Sequence, residues 1–366
     1  MTKFKNIATI LVFCLVIGII AGAKLILPDS EMSSSERRKL EQKPEFSAEN
    51  IMSGGFSDGI EKYLLDQFPQ RDRFRSLKAF VRFDIFRQKD NNGIYMAGDQ
   101  VCKIDGDLDE NQVKYAAEKI NEVSDRYLAG SKVYYSIIPD KNAYASEIYN
   151  YPHTDYDKMV SIMNQTVENA KYLELFLKLS LDDYYRTDTH WKQNCITDAA
   201  QYLADGMGLG ASLEPKDGWK ENTLSPFYGV YYGQSALNVE PDEIVYLTSE
   251  ATESAVMTGA EFEGQKNVYT LDKFEDVDSY DIFAGGAQAI LEIESPNAKT
   301  DKELIIFRDS FGSSISPLFL EGYAKVTLID LRYIVTDFVG QFVDFHGQDV
   351  LFLYSTGLLN SGRLLR

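Results

Sequence analysis

The sequence predicts an α/β fold, because segments typical of buried strands alternate with segments typical of helices. Residues 110–128 have the apolar spacing of an amphipathic helix, and residues 132–139 follow as an apolar run rich in β-branched and aromatic side chains. The order recurs later, where a short apolar run at 304–307 leads through a turn into a helix-like segment, and residues 325–330 form the next run. Strand, helix and strand in succession are typical of a sheet with helices packed on it.

The N-terminal 27 residues are dominated by an apolar run from Ile7 to Ala23, which Lys3 and Lys5 precede. About 20 apolar residues can span a bilayer, and basic residues before such a run are typical of an N-terminus that stays in the cytoplasm. The run therefore predicts a transmembrane helix in the cell membrane, with the rest of the chain outside the cytoplasm. A cleaved signal peptide is the alternative, because residues 21–23 are small like those of a signal-peptidase site; the protein would then be secreted.

Three regions are predicted after this run. Residues 28–55 are polar and predict a stalk. Residues 56–366 are long and apolar enough to form one catalytic domain with its own core. Within that domain, residues 215–300 are rich in Gly, Tyr, Asp and Glu and contain only short apolar runs, so we expect a β-rich insertion that borders the site.

The composition limits the partners and cofactors that can be expected. A formal net charge of -19 makes nucleic acid, or an anionic membrane surface, a poor main partner. The three cysteines fit no zinc motif. The alternating aspartates at 105, 107 and 109 lack the glycine and glutamate that a calcium loop needs at its sixth and twelfth positions. Since the sequence also contains no dinucleotide fingerprint or P-loop, it predicts neither a metal nor a cofactor.

The run at 304–307 is followed by Arg308, Asp309 and Ser310, and then by a helix-like segment. A serine on such a strand-to-helix turn is where α/β hydrolase-like enzymes hold a nucleophile, because the turn exposes the hydroxyl and nearby backbone N–H groups can stabilise an oxyanion. The alternative is that Asp309 and Ser310 only cap the helix, since both residue types are favoured at N-caps. This segment alone leaves both interpretations open.

The segment Asp188-Thr189-His190-Trp191 supplies the partners that a serine nucleophile needs. Side chains two residues apart in an extended segment point the same way, so the Asp188 carboxylate can orient the His190 ring. Serine is a weak nucleophile without a base, and the carboxylate stabilises the imidazolium that forms when the base takes the proton. The sequence therefore predicts Asp188, His190 and Ser310 as a catalytic triad.

Several aromatic and basic side chains are candidates for substrate contacts. They lie beside the predicted triad, in a Gly-rich loop or at a predicted strand end: Trp191, Tyr228, Tyr231, Tyr232, Arg308, Arg332 and Tyr333. Flat aromatic faces suit the C–H surfaces of sugars, but Trp191 could equally pack behind the histidine, and the tyrosines could belong to an ordinary surface hairpin. Asp140 and Lys141 follow the strand at 132–139, where sites of open α/β sheets lie; an ordinary turn is the alternative.

Together these motifs resemble the DHHW family. The resemblance covers roughly residues 60–366 and rests on four segments in order: DQFPQRDRF (66–74), IPDKNAYAS (138–146), DTHW, and RDSFGSSISPLF with the following VTLIDLRY. That family is similar to SGNH-like proteins of polysaccharide O-acetylation, including those acting on alginate. The resemblance implies an SGNH-like (flavodoxin-like) three-layer domain with Asp188, His190 and Ser310 as the triad. Thr189 replaces the family's histidine, and Arg308 replaces the glycine of an SGNH-type GDS turn, which bears on the oxyanion hole.

The resemblance also implies a function: O-acetylation of a cell-surface or secreted polysaccharide through an acetyl-serine intermediate. A membrane-bound O-acyltransferase would supply the acetyl groups. The residues alone indicate an anchored, extracytoplasmic, serine-dependent acyl enzyme. Two alternatives stay open, namely a carbohydrate acetyl esterase with the same triad and a non-catalytic glycan-binding or scaffold protein of an exopolysaccharide system, in which Ser310 is only a helix cap.

Overall fold

The computed structural model describes residues 2–33, 35–209, 213–215 and 218–366. Their contacts divide the chain into two units: Met1–Asn92 with Tyr232–Val239, and Gly93–Tyr231 with Glu240–Arg366. We call these the N-terminal unit and the larger unit. This division differs from the predicted boundaries, because residues 56–92 make their contacts with the N-terminal segment.

Helices and strands alternate through the described residues. The helices are α1 Thr2–Ile26, α2 Ala48–Met52, α3 Gly55–Asp66, α4 Arg71–Phe80, α5 Glu110–Tyr127, α6 Asn142–Tyr149, α7 Tyr156–Thr166, α8 Thr197–Gly206, α9 Val230–Ser235, α10 Glu250–Ser254, α11 Phe311–Ile315, α12 Thr336–Val339 and α13 Thr356–Leu359. The strands are β1 Met32–Ser33, β2 Arg38–Lys39, β3 Ile94–Ala97, β4 Gln100–Lys103, β5 Lys132–Ile138, β6 Lys171–Tyr172, β7 Lys220–Phe227, β8 Asp242–Thr248, β9 Val256–Gly259, β10 Ile290–Glu294, β11 Glu303–Arg308, β12 Lys325–Ile329 and β13 Asp349–Ser355.

A seven-stranded sheet forms the centre of the larger unit, in the order β6-β5-β13-β11-β12-β10-β9. Strands β6, β5, β13, β11 and β12 are parallel, and β10 and β9 continue the sheet in antiparallel fashion. The predicted α/β class is therefore confirmed. Strands β9 and β10 come from the segment predicted as an insertion, yet they extend the main sheet, whereas β7 and β8 form a separate antiparallel ribbon.

Both faces of the sheet are buried, because successive side chains of a strand point to opposite faces. In β11, Leu304 and Ile306 belong to one apolar core and Ile305 and Phe307 to another. Side chains of α8 and α11 complete the first core, and side chains of α5, α7 and α13 complete the second. The sheet is thus the middle of three layers, and its central strands read as unbroken apolar runs for that reason.

The N-terminal unit contains α1 and the polar segment that follows it. Its span Phe4–Ile26 is long and apolar enough to cross a membrane, with a mean hydropathy of 2.5 and none of it buried, although a signal sequence near an N-terminus has the same properties. The segment predicted as a stalk contains the β1–β2 ribbon and α2. Arg38 of this ribbon pairs with Asp66 of α3 at 2.5 Å, and this hydrogen bond lowers the pKa of Asp66 to about 2.

Candidate active site

The turn after β11 places Ser310 at the carboxyl edge of the sheet. Both carboxylate oxygens of Asp309 accept hydrogen bonds, one from the Phe311 N–H at 3.1 Å and one from the Ser355 N–H at 2.8 Å. Asp309 therefore ties the turn to the end of β13. Ser310 stands at the N-cap position of α11 but makes no side-chain capping hydrogen bond. Its hydroxyl is instead directed to a histidine, whereas Asp309 accepts the first N–H of α11.

Asp188, His190 and Ser310 lie within hydrogen-bonding distance of one another. His190 Nε2 is 2.8 Å from Ser310 Oγ, and His190 Nδ1 is 2.6 Å from Asp188 Oδ1. The ionised carboxylate can only accept, so Nδ1 carries the proton and the serine hydroxyl donates to Nε2. Asp188 is fully buried, and its second oxygen accepts the Val230 N–H at 2.7 Å. The geometry is that of a nucleophile, a base and an orienting carboxylate.

A second carboxylate, Asp242, holds the loop that carries Asp188 and His190. It accepts from the backbone N–H groups of Arg186 and Thr187 at 2.8 and 2.7 Å, and from the Thr187 hydroxyl at 2.6 Å. Sequence reasoning missed Asp242, because it lies about 55 residues away at the start of β8 and no local motif marks it.

Lys141 also holds this loop, through hydrogen bonds to its carbonyl groups. The lysine is fully buried, and its ammonium donates to the carbonyl oxygens of Tyr185 and Arg186 at 2.8 and 3.0 Å. Burial lowers the pKa of Lys141, and the charges of nearby acidic groups oppose that change. Lys141 therefore supports the loop, while its predicted neighbour Asp140 lines a cavity described below.

Gly229 allows another segment to lie directly against the triad loop. Its N–H donates to Thr187 Oγ1 at 2.8 Å. A Cβ atom at this position would lie 2.3 Å from the Thr187 carbonyl oxygen and 2.4 Å from the Asp188 nitrogen. Only glycine fits this close approach, and the approach is what brings the Val230 N–H to Asp188. The tyrosine-rich loop thus contributes backbone to the site, which its aromatic composition did not predict.

The His190 ring is held between two aromatic side chains. Tyr280 stacks on it with ring centroids 3.9 Å apart, and Phe311 lies 4.8 Å away. The Tyr280 hydroxyl and the Trp191 indole N–H both point to Ser314 Oγ, at 2.7 and 2.8 Å. These contacts limit the rotation of the imidazole and keep Nε2 directed at the serine.

Two predicted substrate contacts are wrong because the side chains are inaccessible. Trp191 has no exposed surface and packs edge-on against Phe311, so it cannot stack on a sugar. Arg308 is also fully buried: it donates to the Gly286 carbonyl oxygen and to Ser313 Oγ, both at 3.1 Å, and lies 3.8 Å from Asp330. Arg308, which stands where a GDS turn has its glycine, forms a buried ion pair next to the nucleophile turn.

The remaining candidates differ in exposure. Tyr228 and Tyr333 are 42% and 52% exposed and can contact a ligand. Arg332 is half-buried, pairs with both oxygens of Asp330 at 2.9 and 2.6 Å, and holds its guanidinium 5.5 Å from the Tyr333 ring. Tyr231 is mostly buried and lines a cavity. Tyr232 belongs to the N-terminal unit.

A cavity of about 330 Å³ borders the triad loop. Its lining includes Thr189, which stands between Asp188 and His190 in the chain, and Thr356, which follows the Ser355 that binds Asp309. The lining is polar and also includes Lys103, Asp105, Asp140, Tyr156 and Tyr231.

Two carboxyl groups give this cavity its electrostatic character. Burial, together with the nearby charge of Asp105, raises the pKa of Asp140 to about 7. Burial raises the pKa of Asp105 as well, and hydrogen bonds from Tyr156 and Asn142 oppose that change. Near neutral pH, part of the molecules therefore hold a protonated carboxyl group that can donate a hydrogen bond. Among the residues that the structure describes, no group of three or more His, Cys, Asp or Glu is arranged to hold a metal ion.

A family model described as DHHW protein matches residues 36–137 and 142–329 of this chain. The chain belongs to the DHHW family. The predicted resemblance is thereby confirmed over most of the sequence. No curated protein matches the sequence.

Solved structures of two proteins share the fold of this DHHW chain. A DHHW family protein from Eubacterium siraeum is 22% identical, with a TM-score of 0.58, over 75% of this chain and 94% of that chain. PatB1 from Bacillus cereus is 18% identical, with a TM-score of 0.59, over 74% of this chain and 97% of that chain. A second PatB1 structure, with a sulfonyl adduct, has a TM-score of 0.58. The O-acetyltransferase domain of Pseudomonas putida AlgJ is a weaker match, with 13% identity and a TM-score of 0.39 over 69% of this chain and 82% of that chain.

Proposed function

We propose that this DHHW protein is an extracytoplasmic O-acetyltransferase that modifies a cell-surface or secreted polysaccharide. The observation that carries the proposal is the chain of contacts from Asp188 through His190 to Ser310, with separations of 2.6 and 2.8 Å. An SGNH-like origin of the fold belongs to the same proposal.

In the first half-reaction, Ser310 Oγ attacks the carbonyl carbon of an acetyl donor while His190 Nε2 takes the serine proton. Asp188 accepts from Nδ1–H throughout and stabilises the imidazolium. The tetrahedral intermediate collapses, the donor's leaving group takes the proton from Nε2, and acetyl-Ser310 remains.

In the second half-reaction, a sugar hydroxyl attacks the acetyl-serine. His190 Nε2 takes the hydroxyl proton and returns it to Ser310 Oγ as that oxygen leaves. The products are an acetylated sugar and free serine, so each proton and each acyl group is accounted for. An esterase would follow the same steps with water in place of the sugar.

The cavity beside Thr189 is the proposed position of the acceptor. Its two carboxyl groups, Asp105 and Asp140, can bind sugar hydroxyls and would attract an amino group, but they repel a uronate. We therefore propose a neutral or amino sugar as the acceptor. The exposed rings of Tyr228 and Tyr333 are available for further sugar contacts.

The location outside the cytoplasm is part of the proposal and rests on α1. An uncleaved α1 would anchor the protein in the cell membrane, where a membrane-bound O-acyltransferase could supply acetyl groups; a cleaved one would make it a secreted enzyme. The formal charge of -19 fits an aqueous compartment and a non-nucleic-acid partner.

Intact-mass spectrometry of the full chain in detergent tests the proposal. Wild type, Ser310→Ala, His190→Ala and the control Ser57→Ala, an exposed serine of α3, would be incubated with an activated acetyl ester and, separately, with a sulfonyl fluoride. We expect one acyl or sulfonyl mass in wild type and control, and a rate at least about 1000-fold lower in the other two variants.

An oligosaccharide acceptor then separates the alternatives. Transfer predicts that the acetyl mass leaves Ser310 and reaches the sugar. Acetate released at the same rate without the acceptor identifies an esterase. Labelling that is unchanged in Ser310→Ala, with the glycan still bound, identifies a binding protein and contradicts the proposal.

A further inference from the structure

Helix α4 of the N-terminal unit places two arginines in partly buried ion pairs and exposes large apolar side chains. Arg71 and Arg75 pair with Glu36 at 2.5 and 3.2 Å, and all three side chains are partly buried. Along the other side of the helix, Phe74 and Phe80 are each 52% exposed. A helix on the surface of a water-soluble domain usually has its apolar side chains inward and its charged side chains outward.

The apolar surface continues beyond α4 into the π-helical turn Val81–Ile85. Ile85 and the following Phe86 are 58% and 67% exposed. Large exposed apolar patches mark contacts with another molecule or with a membrane.

The charge of this segment is opposite to that of the chain. Residues 71–89 contain seven basic and two acidic residues, whereas the whole chain has a formal net charge of -19. The exposed cations Arg73, Lys78 and Arg87 accompany the apolar side chains. Cationic side chains beside exposed aromatic and aliphatic ones are the composition of helices that lie in a membrane interface.

The end of α1 lies beside the same elements. Ile20 and Leu25 of α1, with Leu64 of α3 and the following Phe68, line one apolar cavity of about 540 Å³. The Phe68 ring contacts Phe74 of α4 edge-on at 5.5 Å. If α1 crosses a bilayer, its C-terminal end leaves the membrane where α3 ends and α4 begins, so α4 is at the depth of the lipid headgroups.

We propose that α4 and the turn Val81–Ile85 lie on a bilayer surface that contains anionic phospholipids. The side chains of Phe74, Leu77 and Phe80 enter the boundary between headgroups and acyl chains, and Arg73 and Arg87 bind headgroup phosphates. This surface adds a second membrane contact to α1 and fixes how the N-terminal unit lies on the bilayer. It does not depend on the chemistry of Ser310.

Quenching by brominated lipids tests the contact on the full chain in nanodiscs of phosphatidylcholine and phosphatidylglycerol. A Phe80→Trp variant reports the position of α4, and the wild-type protein gives the background from Trp191 and Trp219, which are buried. We expect Phe80→Trp to lose at least half of its added fluorescence when the acyl chains are brominated. Added fluorescence that is equal in brominated and ordinary lipids would overturn the proposal.

The charge contribution is tested by Arg73→Glu/Arg87→Glu in the Phe80→Trp background. We expect this variant to reduce the quenching at least two-fold, whereas Lys114→Glu/Lys220→Glu, the same charge change at exposed positions of the larger unit, leaves it unchanged. Equal effects of the two pairs would show that only net charge matters and would contradict binding of headgroups by Arg73 and Arg87. The indole introduced at position 80 could also respond to protein concentration and not to lipid bromination. That result would show that α4 contacts a second copy of the chain, and it would contradict the proposal.

Discussion

The two units of this chain distribute charged and apolar side chains between interior and surface in opposite ways. In the larger unit the strands of the sheet are apolar on both faces, and the charges inside it, such as Arg308 and Asp188, are buried with specific partners. In the N-terminal unit the ion pairs of Glu36 lie inward and the aromatic side chains of α4 face outward. The larger unit holds its buried polar atoms with specific partners, whereas the N-terminal unit exposes large apolar side chains.

The largest expected effect concerns the buried charge of the larger unit. Arg308→Met should lower the free energy of unfolding by about 3 kcal/mol, because it leaves Asp330 and two polar partners with fewer contacts in the interior. Arg126→Met is the control: its pair with Asp337 is exposed, so a much smaller change is expected. Denaturant unfolding followed by tryptophan fluorescence measures both. Similar losses of stability in the two variants would mean that burial does not determine how much these ion pairs contribute to stability.

The close approach at Gly229 should matter mainly to reactivity. The Cβ atom in Gly229→Ala forces the Thr187–Asp188 backbone to shift, and a displacement near 1 Å should slow acylation of Ser310 about 100-fold. Gly106→Ala adds a Cβ with no atom within 4 Å and serves as the control. The rate of labelling by a sulfonyl fluoride is the measurement. A folded Gly229→Ala protein that is labelled at the wild-type rate would argue against rigid support of the triad by this loop.

The raised pKa of Asp140 predicts a pH dependence of stability. Its pKa is 3.8 in the ordinary case and about 7 in the folded protein, so between these values the folded state binds more protons than the unfolded state. Stability from this group is therefore present below pH 3.8 and is lost progressively as the pH rises to 7. Asp140→Asn should flatten the profile in that window.

Urea midpoints measured from pH 4 to 8 give this profile. Asp107 is an exposed acidic residue of the segment that carries Asp105. Asp107→Asn is therefore the matched control and should have the same pH profile as the wild type. A profile that is equally steep in Asp140→Asn would assign the pH dependence to other groups.

The smallest effect is expected in the N-terminal unit. Glu36→Gln weakens the pairs with Arg71 and Arg75, which are only partly shielded from water, so the cost should be below about 1 kcal/mol. Hydrogen exchange of the α4 amides should become a few-fold faster in Glu36→Gln and stay unchanged in Glu45→Gln. A loss as large as that of Arg308→Met would remove the contrast between the units.

The parts of the fold that local patterns determine were predictable. The runs at 132–139 and 304–307 are strands β5 and β11, and the amphipathic pattern at 110–128 is α5, because both faces of a central strand and one face of a covering helix leave direct marks in the sequence. Asp188 and His190 were found from their spacing, and Ser310 from its strand-to-helix turn. Their role in catalysis stays a prediction that the labelling experiment tests.

Contacts between distant segments were not predictable. Asp242 and Gly229 support the triad loop from about 55 and 42 residues away, and neither belongs to a motif. Trp191 and Arg308 were assigned to substrate because such side chains often bind ligands, whereas their burial depends on the packing of Phe311 and Asp330. Nothing in the short runs of residues 215–300 distinguishes β9 and β10, which extend the main sheet, from β7 and β8, which do not.

Strand β13 has a consequence for the synthesis of this protein. It pairs with β5 on one side and β11 on the other, and its Ser355 N–H binds Asp309 next to Ser310. A nascent chain that has emerged only as far as β12 carries all three triad residues but lacks the strand between β5 and β11. The ribosome must therefore release residue 355 before the site can assemble, so the surroundings of Ser310 are completed only after nearly the whole chain has emerged.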